Sequence, residues 1–273
     1  MSTVLASIGN AISMCWHYGL QKQKVEMSYR ADFLVQLALS FVHIAVQLFF
    51  LTALFFQVKD LQGWELPELV LMYGVARVCY GWFSVSFFHM CVGFSDFYII
   101  EGNLDRPLLR PLSPLFQVVL ENLNFRDFQQ VLTGTAIALW AFANVEPKIP
   151  FTLGNILMLQ AFGLLGAVVF AGVFLTTASI SFWIKDRVGF SSPLFSISEA
   201  SRYPLTIYAP WVQYFFSLVI PFGFCAFYPA VYFIEPQRWQ AWLLAGPLVA
   251  AASFAFGSFM FYRGLRVYES TGS

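Results

Sequence analysis

FLVQLALSFVHIAVQLFFLTALFFQV, residues 33 to 58, runs for 26 residues without an Asp, Glu, Lys or Arg. An α-helix rises about 1.5 Å per residue and the hydrocarbon core of a bilayer is about 30 Å thick, so roughly 20 apolar residues make one crossing. The run exceeds that length, and inside lipid a helix satisfies every backbone N–H and C=O within its own segment. Outward from it, five more uncharged or nearly uncharged runs follow: 69–94, whose one charge is Arg77, then 128–145, 151–184, 207–220 and 239–262. The expected fold class is an all-α integral membrane protein of six transmembrane helices, a single transmembrane domain over residues 1–273.

Composition points the same way. Hydrophobic residues make up 59% of the chain and charged residues 11%, against roughly 25% charged in soluble domains. Fifteen basic and fifteen acidic residues cancel, so nothing in the balance attracts nucleic acid, and the partner implied is the lipid bilayer. Many Trp and Tyr fall near the ends of the runs, where amphipathic rings favour the headgroup layer. Cys15, Cys79, Cys91 and Cys225 contain no C-x-x-C pair and read as small apolar packing residues. Residues 1–15 lack the basic start and compact apolar block of a cleavable signal.

Lysine and arginine stay on the cytoplasmic side of short loops. With both ends inside, the cytoplasmic segments hold Lys22, Lys24, Arg30, Arg106, Arg110, Arg126, Lys185, Arg187, Arg202, Arg263 and Arg266, against Lys59, Lys148 and Arg238 outside, which is eleven to three. The stretch 203–234 carries no charge over 32 residues, too long for one upright span and short for two. Pro221 and Pro229 break the helical ladder there, so 221–234 reads as a re-entrant segment after the fifth span, with Pro221, Tyr228 and Pro229 as its marker residues. Ahead of the first span, Ile8, Ile12, Trp16 and Leu20 recur every four residues, which predicts an amphipathic interfacial helix over 8–30. Small residues at helical spacing, Gly163, Ala167 and Ala171 and later Gly246 and Ala250, predict close helix packing.

Catalytic chemistry is sparse. His17, His43 and His89 are scattered without a carboxylate at ligand spacing, so no metal is expected. There is no G-x-x-x-x-G-K-[ST] phosphate loop, so no cofactor is expected on this chain and any nucleotide energy must come from a partner. The informative segment is SDFYIIEGNLDRPLLRPLSPLFQ, residues 95–117, within a cytoplasmic loop at 95–118. Asp96 to Glu101 predicts a short helix stopped by Gly102 and Asn103, residues that tolerate a left-handed helix end. Pro107, Pro111 and Pro114 then forbid a regular continuation, leaving a stiff projection with Ile99, Ile100, Leu104 and Leu108 beside Asp105, Arg106 and Arg110.

This loop resembles the I-x-x-G-x-L-D-x-x-L-x-R-P-L-x-P-L pattern of ABC type-2 permeases, the export-type membrane subunits of ABC transporters. The matching residues are Ile99, Gly102, Leu104, Asp105, Leu108, Arg110, Pro111, Leu112, Pro114 and Leu115. RYPLTIY at 202–208 and IPFGFCAFYPAVYF at 220–233 resemble that family's fifth span and re-entrant turn. The resemblance implies a bacterial inner-membrane exporter component that pairs with a second permease, identical or homologous. It also implies two copies of a separate ATP-binding subunit, which carry ATP and Mg and dock on the first cytoplasmic loop. Asp96, Ile99, Ile100, Gly102, Leu104, Asp105, Arg106, Leu108 and Arg110 would make that contact; the loop from Lys185 to Arg202 reads equally as a second contact or a solvated linker.

Arg77, roughly 12 Å into the second span from its outer start, has two readings: it lines the translocation path, or it snorkels outward to pair with Glu65 or Glu68. Asp127 and Gln130, three residues apart at the inner end of the third span, read as vestibule or interface anchor. A self-contained secondary transporter of amphiphilic substrates is the alternative to the ATP-driven exporter. The lack of any carboxylate within 33–58 or 239–262 weighs against it. A membrane-embedded transferase is disfavoured by the absence of gathered catalytic groups.

Overall fold

The computed structural model describes residues 30–56, 60–184, 191–200, 202–235 and 240–269. The interfacial helix expected at 8–30 falls, but for Arg30, outside them. Among the described residues the architecture is all-helical, with one isolated bridge between Leu61 and Trp64. Four helices among the described residues are long and apolar enough to cross a membrane, with apolar cores at Leu34–Phe55, Leu66–Ile100, Leu153–Ile180 and Leu243–Leu265.

α1 (Arg30–Phe55) stands at the periphery, with Leu34, Leu39, Phe49 and Phe50 exposed, as a lipid-facing helix would be. α2 (Leu66–Ile100) is the central post. It begins where the Glu65 N–H donates to Glu68 Oε2 at 2.9 Å, with Pro67 in the first turn, an arrangement that satisfies a donor the helix start would otherwise leave open. From Leu69 to Cys79 it is buried on every face, the signature of a helix enclosed by protein. Two wide π-turns, Ser84–Phe88 and Phe94–Ile100, interrupt it without ending it.

The expected second span at 69–94 is thus part of a 35-residue helix, and the short helix expected at Asp96–Glu101 is its last turn. The physical reason is that no residue from Phe83 to Ile100 stops a helix; Gly93 bends through at φ −88°. Gly102, at φ +72°, makes the stop, in the left-handed region where an L side chain is strained.

After α3 (Asp105–Leu108) and α4 (Pro114–Glu121), α5 (Phe128–Asn144) returns along α2. Its 17 residues reach roughly 25 Å. α6 (Leu153–Ile180) and α10 (Gln240–Leu265) form the other long pair. Both seams close through glycine. A Cβ on Gly74 or Gly134 would lie 2.7 Å from a backbone nitrogen of the facing helix, and a Cβ on Gly172 would overlap the backbone at Ser253. Ala167, Ala171 and Ala250 are buried as the small-residue rows predict, whereas Gly246 meets only Phe224, at 3.7 Å.

The region 191–235 departs from the expected layout. α7 (Ser191–Ala200) runs beside α2, its Phe195 edge-on to Tyr80 at 5.7 Å. Residues 202–208 continue toward the α1–α2 connection, where Trp64 Nε1 donates to Thr206 Oγ1 at 2.7 Å. α8 (Pro210–Tyr214), extended by a π-turn at Phe215–Val219, has only ten residues, about 15 Å, so the helix at the expected fifth span 207–220 cannot itself cross 30 Å. Pro204 and Pro210 are the reason, since each removes a helical donor. A 3₁₀ turn at Phe222–Cys225 and α9 (Phe227–Ile234) then fill the core, with Phe222 tilted against Phe170 at a centroid distance of 4.9 Å. Tyr228 and Ser217 hydroxyls meet at 2.7 Å. Irregular backbone in a membrane protein is tolerated where protein surrounds it, and Phe222, Ala226, Phe227 and Val231 have no measurable exposure.

Candidate functional site

Two features collect the residues singled out by sequence. The first is the projection between α2 and α4. Beyond Gly102 the chain turns back so that the Leu104 N–H donates to Tyr98 O at 3.3 Å, and α3 carries it outward. Ser113 caps α4 by accepting from the Phe116 N–H at 3.3 Å, with Pro114 at the first helical position.

Gln117, 2% exposed, is the clamp: its Nε2 donates to Pro107 O at 3.0 Å and to Leu112 O at 2.9 Å. Arg110 pairs with Glu121 at 3.3 Å, and Asn122 donates to the Tyr98 hydroxyl at 2.7 Å. From below, Tyr268 packs on Phe182, and burial with the neighbouring Asp105 carboxylate pushes its phenol up to about 12. The loop is therefore braced from α4. Gln117→Ala would leave two carbonyls without their donor, a loss of about 1–3 kcal/mol for each that stays dry. The expected outcome is a lower melting temperature in detergent with faster chymotryptic cleavage after the exposed Leu108 and Leu109.

Exposure redistributes the expected contact residues. Asp96, Arg106, Leu108 and Arg110 are exposed, and Ile100, Gly102 and Asp105 are partly so. Ile99 and Leu104, expected on the outer face, are 3% and 0% exposed and belong to the core. They point inward because the π-turn at Phe94–Ile100 continues α2 and keeps its buried stripe in register through Ile99. The apolar surface that does project is Phe97, Leu108, Leu109 and Leu112, with Leu109 87% exposed. The available signal was the adjacent pair Leu108–Leu109, which cannot both turn inward on one short helical turn.

The second feature is a cavity of about 290 Å³ between α1, α2, α5 and α7, and it contains Arg77, Asp127 and Gln130 together. Arg77, 8% exposed, donates from Nε to Thr133 Oγ1 at 3.0 Å and from a terminal nitrogen to Ser40 Oγ at 3.2 Å. Among the described residues neither Glu65 nor Glu68 pairs with it; Glu68 is turned to the Glu65 N–H instead. The outward snorkel with a glutamate partner is thus corrected: Arg77 faces inward.

Asp127 accepts from Ser84 and meets His89 Nε2 at 2.7 Å. Burial alone would raise its pKa, but hydrogen bonds from His89 and Ser84 outweigh that and hold it below the usual carboxylate value. Arg126 and Arg202 complete the charged lining, and Arg202 also pairs with Glu199 at 3.2 Å. α1 contributes Gln36, Ser40 and His43, and Gln47 faces an adjoining cavity of about 480 Å³ that shares Arg202. The spacing of these four is 4, 3 and 4, one helical face, and that polar stripe was the overlooked sequence signal. Pro221, Tyr228 and Pro229 lie away from both features; Pro221 borders a separate cavity beside α6 and α10.

Among the described residues, several bilayer-length helices with a polar cavity between them define a multi-pass membrane protein. The family described as ABC-2 family transporter protein matches it over residues 41–272, and the chain belongs to that family. No curated protein and no solved structure matches it.

Proposed function

We propose that the chain is the membrane-spanning permease subunit of an ATP-driven exporter in a bacterial inner membrane. It is not itself an enzyme: ATP and Mg belong to two copies of a separate ATP-binding subunit, and a second permease, identical or homologous, completes the translocation path. The observation that carries the reading is the braced loop within 95–118, which presents Leu108, Leu109 and Leu112 on a clamp-held turn. A rigid lever is what transmits motion from a docked subunit into α2, of which Phe94–Ile100 is the final segment.

The chain makes six crossings with both ends in the cytoplasm. The Trp64–Thr206 hydrogen bond supports moving the fifth crossing from 207–220 to 191–207, with the re-entrant hairpin widened from 221–234 to 210–234: α8 descends and α9 climbs back. Arg202 then leaves the cytoplasmic count and lies at the depth of Arg77, with which it shares a cavity. The positive bias falls from eleven to ten against three and keeps its sign.

The test is purification of the tagged chain from its native membrane. An ATP-binding subunit and a second permease are expected to accompany it, and amphiphile efflux from vesicles should require all components with ATP. Sustained efflux by the chain alone, driven by an ion gradient, would replace this reading with the secondary transporter.

A further inference from the structure

We propose that the cavity between α1, α2, α5 and α7 binds the anionic headgroup of an amphiphile, a phosphate or chemically similar oxyanion. Its apolar portion would lie in the adjoining cavity toward the lipid-facing side of α1. The inference stands on the cavity and does not require the exporter reading.

The charge balance is the first ground. Three guanidinium groups, Arg77, Arg126 and Arg202, line the space with one carboxylate, Asp127. Asp127 is taken up by Ser84 and His89, and Arg202 by Glu199. Among the described residues no carboxylate oxygen lies within 4.0 Å of an Arg77 or Arg126 nitrogen, and Arg126 meets Asp127 only through longer-range attraction. Arg77 is more than nine-tenths buried, and its hydrogen bonds go to two neutral hydroxyls. A buried guanidinium in a membrane protein demands a counter-charge, and converging cations in a partly enclosed space concentrate anions.

Shape is the second ground. The polar cavity shares Arg202 with the larger one, whose apolar wall of Val46, Phe50, Leu51 and Tyr203 stands beside Gln47 and the Arg202-paired Glu199. Val46 and Phe50 are also exposed on the outer face of α1. A ligand with a charged head and an apolar tail fits this sequence of surfaces, since planar guanidinium forks match oxyanions and aliphatic walls do not. The donors are preset: Gln129 Nε2 and Arg77 share the Ser40 hydroxyl, which holds the guanidinium in place before any ligand arrives.

The experiment measures equilibrium binding of dodecyl phosphate to the purified full chain in dodecyl maltoside, with dodecyltrimethylammonium as the opposite-charge probe. Saturable one-site binding of the phosphate is expected, at least tenfold tighter than the ammonium probe. Arg77→Gln and Arg126→Gln should each weaken it about tenfold, and Arg77→Lys by less, because charge is kept and the fork is lost. Should Arg77→Gln fail to fold, Arg126→Gln, at a partly exposed position, carries the measurement. Displacement by inorganic phosphate identifies a free-anion site, and displacement by phosphatidylglycerol but not by phosphate identifies a bilayer lipid; both keep the oxyanion chemistry. Equal binding by wild type and Arg126→Gln, or equal affinity for the two opposite-charge probes, overturns the proposal.

Discussion

Gly134→Leu is expected to remove nearly all monodisperse protein from a detergent extract. The position faces α2 so closely that a Cβ would lie 2.7 Å from the Val78 nitrogen and 3.0 Å from Gly74 O. These are backbone atoms, so no rotamer change relieves the overlap and the helices must separate. Association inside lipid depends on close packing rather than on water exclusion, and separation loosens the whole seam through Gly74 and Gly81 as well. Overpacking a core costs about 1–3 kcal/mol and occasionally more; here the upper end applies, because α2 and α5 form one of the two most extensive helix pairs. Gly246→Ala is the matched control, since its Cβ would meet only Phe224 at 3.7 Å. Size-exclusion profiles of the two variants, fused to a fluorescent reporter, check the prediction; equal recovery would mean that the α2–α5 seam is not close-packed.

The long helices were legible because a run such as 33–58 or 151–184 has one stable outcome in lipid. Their details were not. Nothing in the hydropathy of Phe94–Ile100 separates a helix continuing as a π-turn from a new helix after a break, so Ile99 was expected on the surface and is buried. The region 203–234 carries no charge to set a register, and prolines mark breaks without saying which side of each break crosses. Arg202 was read as the end of a loop between two spans, and its place in one cavity with Arg77 follows only from three-dimensional packing. That Arg77, Asp127 and Gln130 converge was anticipated only as separate candidates. The connection between them is α1, whose polar stripe at Gln36, Ser40, His43 and Gln47 is diluted by apolar residues in any averaged hydropathy window.

Leu109→Asp is expected to separate docking from folding. The side chain is 87% exposed, so its replacement should leave the stability of the purified permease within about 0.5 kcal/mol of wild type, as exposed substitutions generally do. If the loop docks into a groove of an ATP-binding subunit, Leu109 is the side chain best placed to enter it. Burying a leucine contributes about 1.5–3 kcal/mol, and forcing a carboxylate into the same groove adds a desolvation penalty. Recovery of the ATP-binding subunit on a tagged permease should therefore fall at least about tenfold, with loss of amphiphile-stimulated ATP hydrolysis. Leu104→Asp gives the contrasting result: at 0% exposure it places an unpaired charge in the core and should destroy the fold, so loss of the partner there reports nothing about docking. The loop also carries Arg106 and Arg110, but Arg110 is engaged with Glu121 and Arg106 is an exposed charge, so neither offers a fixed apolar anchor. Full retention of the ATP-binding subunit by Leu109→Asp would show that the projecting leucines are not the docking face, and coupling would then have to pass through another cytoplasmic segment.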